Sequence, residues 1–406
     1  MNKKLGMAVA GAVMAFGASA ANAGITIPAG DWTIDIGGNV NAFYTYNKGD
    51  DAAQSVVGGI AANASTGQDN ATNINTGLLP SAIGIGGKTR QNDLDIAFQF
   101  TFFPGVSSDR SVVGGATDSA FGTNSLNIRQ VYLTFGDASW GSIKVGRDLG
   151  IFGSDAILND QTLLGVGGLG QGSGTTTLGR IGTGFIYADW NAQISYMSPN
   201  WNGFSFKAGV FDPWDSIGLS VVGTPGTVPI GGTAKESSPQ FQGQLAYEWT
   251  GDVSGKVWTG FITQDFDSAD RAKGWELGGK VGFSGLTLVG YYYDADSVGT
   301  TGFGVGAHDA NGNGRDSDGW YVQAAYVLPT IGTKIAASYG ESKLDKASGE
   351  ADSLNLEENN MWTVGVYHPL TKSLNLVAEY NNVESKAHNG VDNESDSVSF
   401  GAIMFF

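Results

Sequence analysis

Strict alternation of apolar and polar residues is the feature that most narrows the folds open to this chain. Between Asp93 and Phe103, Leu94, Ile96, Phe98, Phe100 and Phe102 alternate with Asp93, Asp95, Ala97, Gln99 and Thr101. A repeat of two puts successive side chains on opposite faces of an extended strand. The same repeat sets Ile34, Ile36, Val40, Ala42 and Tyr44 against Thr33, Asp35, Asn39 and Asn41, and Phe241, Leu245, Tyr247 and Trp249 against Gln242, Gln244 and Glu248.

A sandwich in water, greasy face inward, and a barrel in lipid, greasy face outward, share this alternation, so the connections have to separate them. The pattern predicts strands at Trp32–Asn47, Leu78–Thr89, Asn92–Phe103, Ser125–Gly136, Gly141–Arg147, Thr183–Ser198, Gly203–Asp212 and Ser238–Thr250. It predicts further strands at Lys256–Phe266, Gly274–Phe283, Leu286–Ala295, Asp318–Leu328, Thr333–Ser342, Asn360–Pro369, Leu374–Glu384 and Asp396–Phe406. Tight connections such as Ser284-Gly285, Pro199–Asn202 and Pro329–Gly332 trade places with long polar ones such as Lys48–Gly77 and Asp148–Gly182. Short turns on one side, long loops on the other and an even count of sixteen describe an all-β, antiparallel transmembrane β-barrel wide enough for an aqueous lumen. Two of these strands fit poorly. Pro80 interrupts Leu78–Thr89, and Trp258 and Ile262 share a face with Lys256.

The N-terminus carries Lys3 and Lys4, an apolar stretch from Leu5 to Ala18 and the small-residue end Ala21-Asn22-Ala23. This pattern predicts a cleaved secretory signal over residues 1–23 and a barrel domain over 24–406. No other run is long and apolar enough for a transmembrane helix. The absence of cysteine excludes a disulfide scaffold and a thiolate metal site. The 63 glycines are about twice the usual share and sit among Tyr, Phe, Val and Thr, as in strands with close backbone approaches. The signal holds two of the 22 basic residues and none of the 39 acidic ones, so the processed chain has 20 against 39, a formal charge of −19. That excess disfavours nucleic acid as a partner.

At the end of the chain Val398, Phe400, Ala402, Met404 and Phe406 share one face, with Ser397, Ser399 and Gly401 on the other. Gly146-Arg147-Asp148-Leu149-Gly150 closes the fifth predicted strand, and Gly179-Arg180-Ile181-Gly182 returns to the sixth. With Ile128–Phe135, the run Trp140–Val166, Gln130-Val131-Tyr132 and Gly153-Ser154-Asp155, these residues make the mature chain resemble the general Gram-negative porins, most of all those of β-proteobacterial type.

The resemblance implies a trimeric diffusion channel in the outer membrane, surrounded by lipid and lipopolysaccharide and passing ions and small hydrophilic solutes. It implies a third loop folded into the barrel, with Arg147 and Arg180 as wall arginines facing acidic loop residues at Asp155 and Asp160. The loop tip departs from the Pro-Glu-Phe-Gly-Gly-Asp pattern of enterobacterial members, which leaves those acidic partners open. Arg129 and Lys144 are further candidates for the lumen or its rim. Phe406, with Met404 and Phe400, matches the signal read by the barrel-assembly machinery. Opposed charges across a narrow aqueous waist orient water and disfavour apolar solutes. A mixed waist predicts weak charge selectivity, whose sign stays open: the net charge argues for cations, and Arg147 with Arg180 for anions.

Other motifs are weaker. Asp309, Asn311 and Asn313 precede Gly314 as in a calcium loop, but the twelfth position is Trp320 where a bidentate Glu belongs, so a polar external loop is the expectation. Its acids, with Asp267, Asp270, Glu357 and Glu358, are candidates for divalent bridges to lipid head groups. Gly165-Val166-Gly167-Gly168-Leu169-Gly170 spells a dinucleotide motif without a β-α-β unit around it and reads as loop. His308, His368 and His388 are dispersed, and no catalytic constellation or cofactor site emerges. Two other functions stay open. A substrate-specific channel would need a lumenal aromatic track seeded by Tyr291, Tyr293 and Tyr321, which read more readily as girdle aromatics. An adhesin or receptor barrel would act through its loops.

Overall fold

A computed structural model describes residues 24–50, 52–61, 70–106, 126–168, 176–218, 234–302 and 304–406. The leader expected over residues 1–23 lies outside them. Sixteen strands form the wall. They are β1 (Trp32–Gly49), β2 (Ala82–Gln91), β3 (Leu94–Pro104), β4 (Leu126–Asp137), β5 (Gly141–Leu149), β6 (Trp190–Met197), β7 (Phe204–Phe211) and β8 (Gln240–Trp249). Then come β9 (Val253–Asp267), β10 (Ala269–Phe283), β11 (Leu286–Asp296), β12 (Asp316–Val327), β13 (Lys334–Leu344), β14 (Leu356–Pro369), β15 (Leu374–Ala387) and β16 (Asp392–Phe405). Each pairs antiparallel with the next, and β16 returns to β1 in a register running from Ser395 opposite Gly49 to Phe405 opposite Asn39. Closure leaves no unpaired edge in the wall, which a sheet in lipid requires.

The seam is finished by both ends of the chain. The Phe406 N–H donates to the Gly38 carbonyl at 3.1 Å and its own carbonyl accepts from the Gly38 N–H at 3.0 Å. Directly below, a short strand Ile25–Ala29 folds back on Trp32–Ile36. Two more short strands, Asn70–Asn75 and Lys235–Glu236, extend the upper ends of β1 and β9.

Alternation sorts the faces as predicted. Leu245 and Ile194 are 62% and 60% exposed on the outside, where only a hydrocarbon solvent makes so continuous an apolar surface favourable. Ring pairs Trp275–Tyr292, Trp320–Tyr339 and Trp362–Tyr380, at 5.5, 5.5 and 4.9 Å, gird one rim; Phe204–Tyr247 at 4.5 Å belongs to the other. Among the described residues no helix is long and apolar enough to cross a membrane, so the crossing is made by strands.

Several boundaries differ from expectation. The sixth strand begins at Trp190 rather than Thr183, because residues 183–189 stay with the loop inside the barrel. The second begins at Ala82 rather than Leu78, beyond Pro80, which lacks the N–H a central ladder needs. Asn92 and Asp93, assigned to a strand, form the β2–β3 turn with φ of 48° and 63°, the double left-handed conformation of a two-residue hairpin. The short-long rhythm fails twice: β15 and β16 are joined by only residues 388–391, and β9 and β10 meet through Ser268 alone, so Asp267 and Asp270 sit at a tight hairpin tip rather than in a long loop. Glu357 and Glu358 likewise belong to β14.

Candidate functional site

The third long connection turns into the barrel at Gly150–Gly153 and carries the helix α1 (Ser154–Asn159), followed by a 3-10 turn at Gln161–Leu164. Gly153 caps α1 with φ 78°, a left-handed conformation that favours glycine. A loop buried among strands has backbone groups that no ladder satisfies, so the wall must supply partners. Gln242 Oε1 on β8 accepts from the Ile151 and Phe152 N–H groups at 2.7 and 2.9 Å. Glu276 Oε2 on β10 accepts from the Gly153 N–H at 2.9 Å and from the Tyr291 hydroxyl at 2.8 Å. On β12 the Tyr321 hydroxyl donates to the Ala156 carbonyl at 2.9 Å, and Gln323 Oε1 accepts from the Gln161 N–H at 2.7 Å. Glu379 Oε2 on β15 accepts from Val166 and Gly167 at 2.8 and 2.9 Å, while its other oxygen takes the Tyr367 hydroxyl at 2.7 Å. The loop is thereby stitched across the inner wall from β8 to β15, filling one side of the lumen.

The glycine-rich stretch that spells a dinucleotide motif therefore has a structural job in its described part, residues 165–168. A Cβ on Gly165 would lie 2.0 Å from Glu379 Oε1, so a side chain there would displace the carboxylate that holds the loop.

The candidate residues do not converge on one site. Asp155 and Asp160 are buried in the loop, and Asp155 pairs with Lys256 of β9 rather than with an arginine. Asp160 caps the 3-10 turn through the Thr162 N–H at 3.0 Å. Arg180 is fully buried: its guanidinium donates to the Met361 carbonyl at 2.9 Å and Thr363 Oγ1 at 3.2 Å, and also to Ser338. It is a fastener of the loop's return limb, not a wall arginine projecting into water. Arg129 sits at a β-bulge opposite Thr101 and Phe102, with its guanidinium 5.1 Å from the Phe103 ring centroid. Lys144 faces inward, paired with Asp148.

Arg147 is a correction. It stands opposite Val131 on β4 and Ala192 on β6, and cross-strand partners share a face, so it projects from the outside of the barrel. Its Nε donates to the Trp190 carbonyl at 3.1 Å. Its own strand carried the signal: Ile143, Val145 and Arg147 are two apart, in phase with the greasy face.

Tyr291, Tyr293 and Tyr321 also reverse expectation. They point inward and are buried, with Tyr291 and Tyr321 rings 5.8 Å apart and Phe185 of the loop 5.9 Å from Tyr321. They form the bed on which the loop lies, rather than a girdle or an exposed track. Lys256, Gln242, Glu276 and Glu379 were not singled out by sequence, although each polar side chain falls on the inward phase of its strand.

The calcium-like loop is closed on itself. Asp309 Oδ1 accepts from the Asn311 and Asn313 N–H groups, both at 2.8 Å, and Oδ2 from Asn313 Nδ2 at 2.8 Å. Among the described residues no group of His, Cys, Asp or Glu has a metal-holding arrangement. The Asp309–Asn313 set acts as an Asx turn. At the β14–β16 end, Phe400 and Met404 lie on the outer face and Phe406 pairs with Gly38.

Solved outer-membrane channels share this architecture. The channel DcaP of Acinetobacter baumannii aligns over 95% of this chain and 100% of its own with a TM-score of 0.63 at 15% identity. An anion-selective porin from Comamonas acidovorans aligns over 92% and 100% with 0.59 at 15% identity. OmpF of Salmonella typhi, solved with daunomycin, aligns over 94% and 100% with 0.58 at 16% identity. No curated protein is a significant match by sequence. The family model described as Gram-negative porin matches residues 8–388, so the chain belongs to the Gram-negative porins and is a β-barrel of the outer membrane.

Proposed function

We propose that the barrel is a passive, weakly charge-selective channel for ions and small hydrophilic solutes. The observation that carries this is the one-sided placement of the third loop. It is fastened to β8–β15, while the inner faces of β1–β5 keep hydrated ion pairs such as Asp35–Lys88 at 2.9 Å and Arg90–Asp95 at 2.8 Å. An aqueous route between the loop and that wall passes solutes by size and charge. A substrate-specific channel is less favoured because the inward tyrosines lie beneath the loop. Single-channel recording in planar bilayers tests the proposal: large ohmic steps are expected, and silence or a preference above about tenfold for one small solute overturns it.

The working unit in this proposal is a homotrimer, consistent with a trimer form among the structural neighbours; conductance steps in threes are the expected signature. Export follows cleavage before Gly24, and the barrel-assembly machinery reads Phe400, Met404 and Phe406. Removal of Phe406 is expected to lower the folded yield in the outer membrane. Acids of the external hairpins and loops, Asp267, Asp270, Glu357 and Glu358 among them, bridge through divalent cations to lipopolysaccharide. Thermal stability in lipopolysaccharide that a chelator leaves unchanged would refute the bridge.

A further inference from the structure

The acids that dominate the composition and the charges that face inward on the wall are placed differently. On the inward phase of the wall lie Asp35, Asp95, Asp148, Glu248, Glu276 and Glu379, and the loop adds Asp155 and Asp160. Most of these carboxylates are already committed. Asp35 pairs with Lys88, Asp95 with Arg90, Asp148 with Lys144 and Asp155 with Lys256. Glu276 and Glu379 are 0% and 3% exposed and hold the backbone of the loop. Glu248 stands 3.9 Å from Lys256. A carboxylate turned into N–H donors beneath a loop presents little field to water beyond it.

Three inward lysines form no ion pair of this kind, although Lys207 lies within the field of Asp155. Lys207 on β7 stands opposite Gln244, Lys280 on β10 stands directly opposite Lys256, and Lys334 on β13 lies 4.0 Å from the Tyr367 ring centroid. Among the described residues none of the three has a carboxylate within ion-pair distance. A ring face binds a cation without cancelling its charge. The acids that dominate the composition sit elsewhere, on the outer rim and its hairpins, as at Asp294, Asp316, Glu384 and Glu394. Charges separated by more than about 8 Å in physiological salt are largely screened from one another, so the rim contributes little at the waist.

We infer that the passage beside the third loop prefers small anions, and that Lys207, Lys280 and Lys334 set this preference. The inference rests on the channel reading above and adds its sign and its determinants. The ligand chemistry is a small hydrated anion, inorganic or carboxylate, attracted by inward ammonium groups of which Lys280 is exposed and Lys207 and Lys334 are half-buried. A unit charge about 7 Å from an ion in water shifts its free energy by about RT, so three such lysines together give a preference of roughly three- to tenfold.

Reversal potentials in a potassium chloride gradient test this with the full-length, outer-membrane-folded protein. Wild type is expected to favour chloride over potassium by about three- to tenfold. The triple variant Lys207→Gln, Lys280→Gln, Lys334→Gln is expected to fall to about one or below. The corresponding triple Arg variant should keep the preference, and Lys48→Gln, on the outer face, should leave it unchanged. A silent wild type removes the channel reading on which the inference stands. A conducting wild type that favours potassium leaves the channel standing and overturns the inference. A chloride preference that survives the triple Gln variant overturns the assignment to these lysines.

Discussion

The inner wall of this barrel has two halves built from the same two-residue repeat, and they solve different problems. Near the short-turn ends of β1 to β3 the inward charged side chains meet water, and charge is neutralised side by side in pairs such as Asp35–Lys88 and Arg90–Asp95, while farther along Asn41, Phe43 and Thr101 are buried. Over much of β8 to β15 the inward side chains meet another part of the chain, and only near the short-turn end do Lys280 and Lys334 stay accessible. Beneath the loop Trp258 and Ile262 are buried, the tyrosines form a bed, and Glu276 and Glu379 accept main-chain N–H groups. A carboxylate among ion pairs can be lost cheaply because water replaces its partner, whereas one holding buried N–H groups cannot. The comparison teaches that inward polarity in a pore is not one property. It is solvation on one side and fastening on the other.

The largest effect should come from cutting the fasteners. Glu276→Ala combined with Glu379→Ala leaves three loop N–H groups and two tyrosine hydroxyls without acceptors, each at a cost of about 1–3 kcal/mol. A lower thermal midpoint and larger, noisier conductance steps are expected in planar bilayers; steps of unchanged size and noise would break the contrast. Gly165→Val tests the same seam from the loop side. The Cβ would meet Glu379 at 2.0 Å, and a loss of roughly 1–3 kcal/mol is expected by thermal denaturation.

A third experiment concerns the outside of the barrel, where the loops on either side of β12 and β13 are joined by Arg315 and Glu350. Arg315 Nε and its terminal nitrogen donate to the two Glu350 oxygens at 2.8 and 2.6 Å, and the guanidinium is almost fully buried. These hydrogen bonds hold the Glu350 carboxyl below its ordinary value of 4.5, against the burial that would raise it. A depressed folded value means that the stabilisation is complete above about 4.5 and disappears as pH falls through the lower folded value. Limited proteolysis of folded protein is expected to cut these loops faster at acid pH, and Glu350→Gln should bring that rate to neutral pH. Equal cleavage of wild type at both pH values would remove the latch. The smallest effect belongs to the hydrated half: Lys88→Gln is expected to cost less than about 1 kcal/mol, read as a change of thermal midpoint. A cost as large as that of Glu276→Ala would show the two halves to be alike.

Much of this was legible in the chain. Period-two alternation located the sixteen wall strands and the aromatic end of β16, because lipid outside and water or packing inside demand opposite chemistry at adjacent residues. The irregularities were legible too, though not their cause. Trp258 and Ile262 spoil the inward face of β9 because that face is covered by the loop. Arg147 could have been placed from Ile143 and Val145, whereas the family pattern of paired wall arginines pointed to the other face.

What the sequence by itself determined is local: which residues form strands, which face each side chain takes, where a long loop interrupts the rhythm, and a composition with a strong excess of acid. Only the tertiary structure decided which groups meet. Asp155 and Lys256 are 101 positions apart, and Val166 and Glu379 are 213. Barrel closure and the inward fold of the loop create those contacts, and they depend on shear, register and the path of a loop through space. No local repeat encodes these. That is why the acids could be counted from the sequence, while the charge left facing the water had to be found in three dimensions.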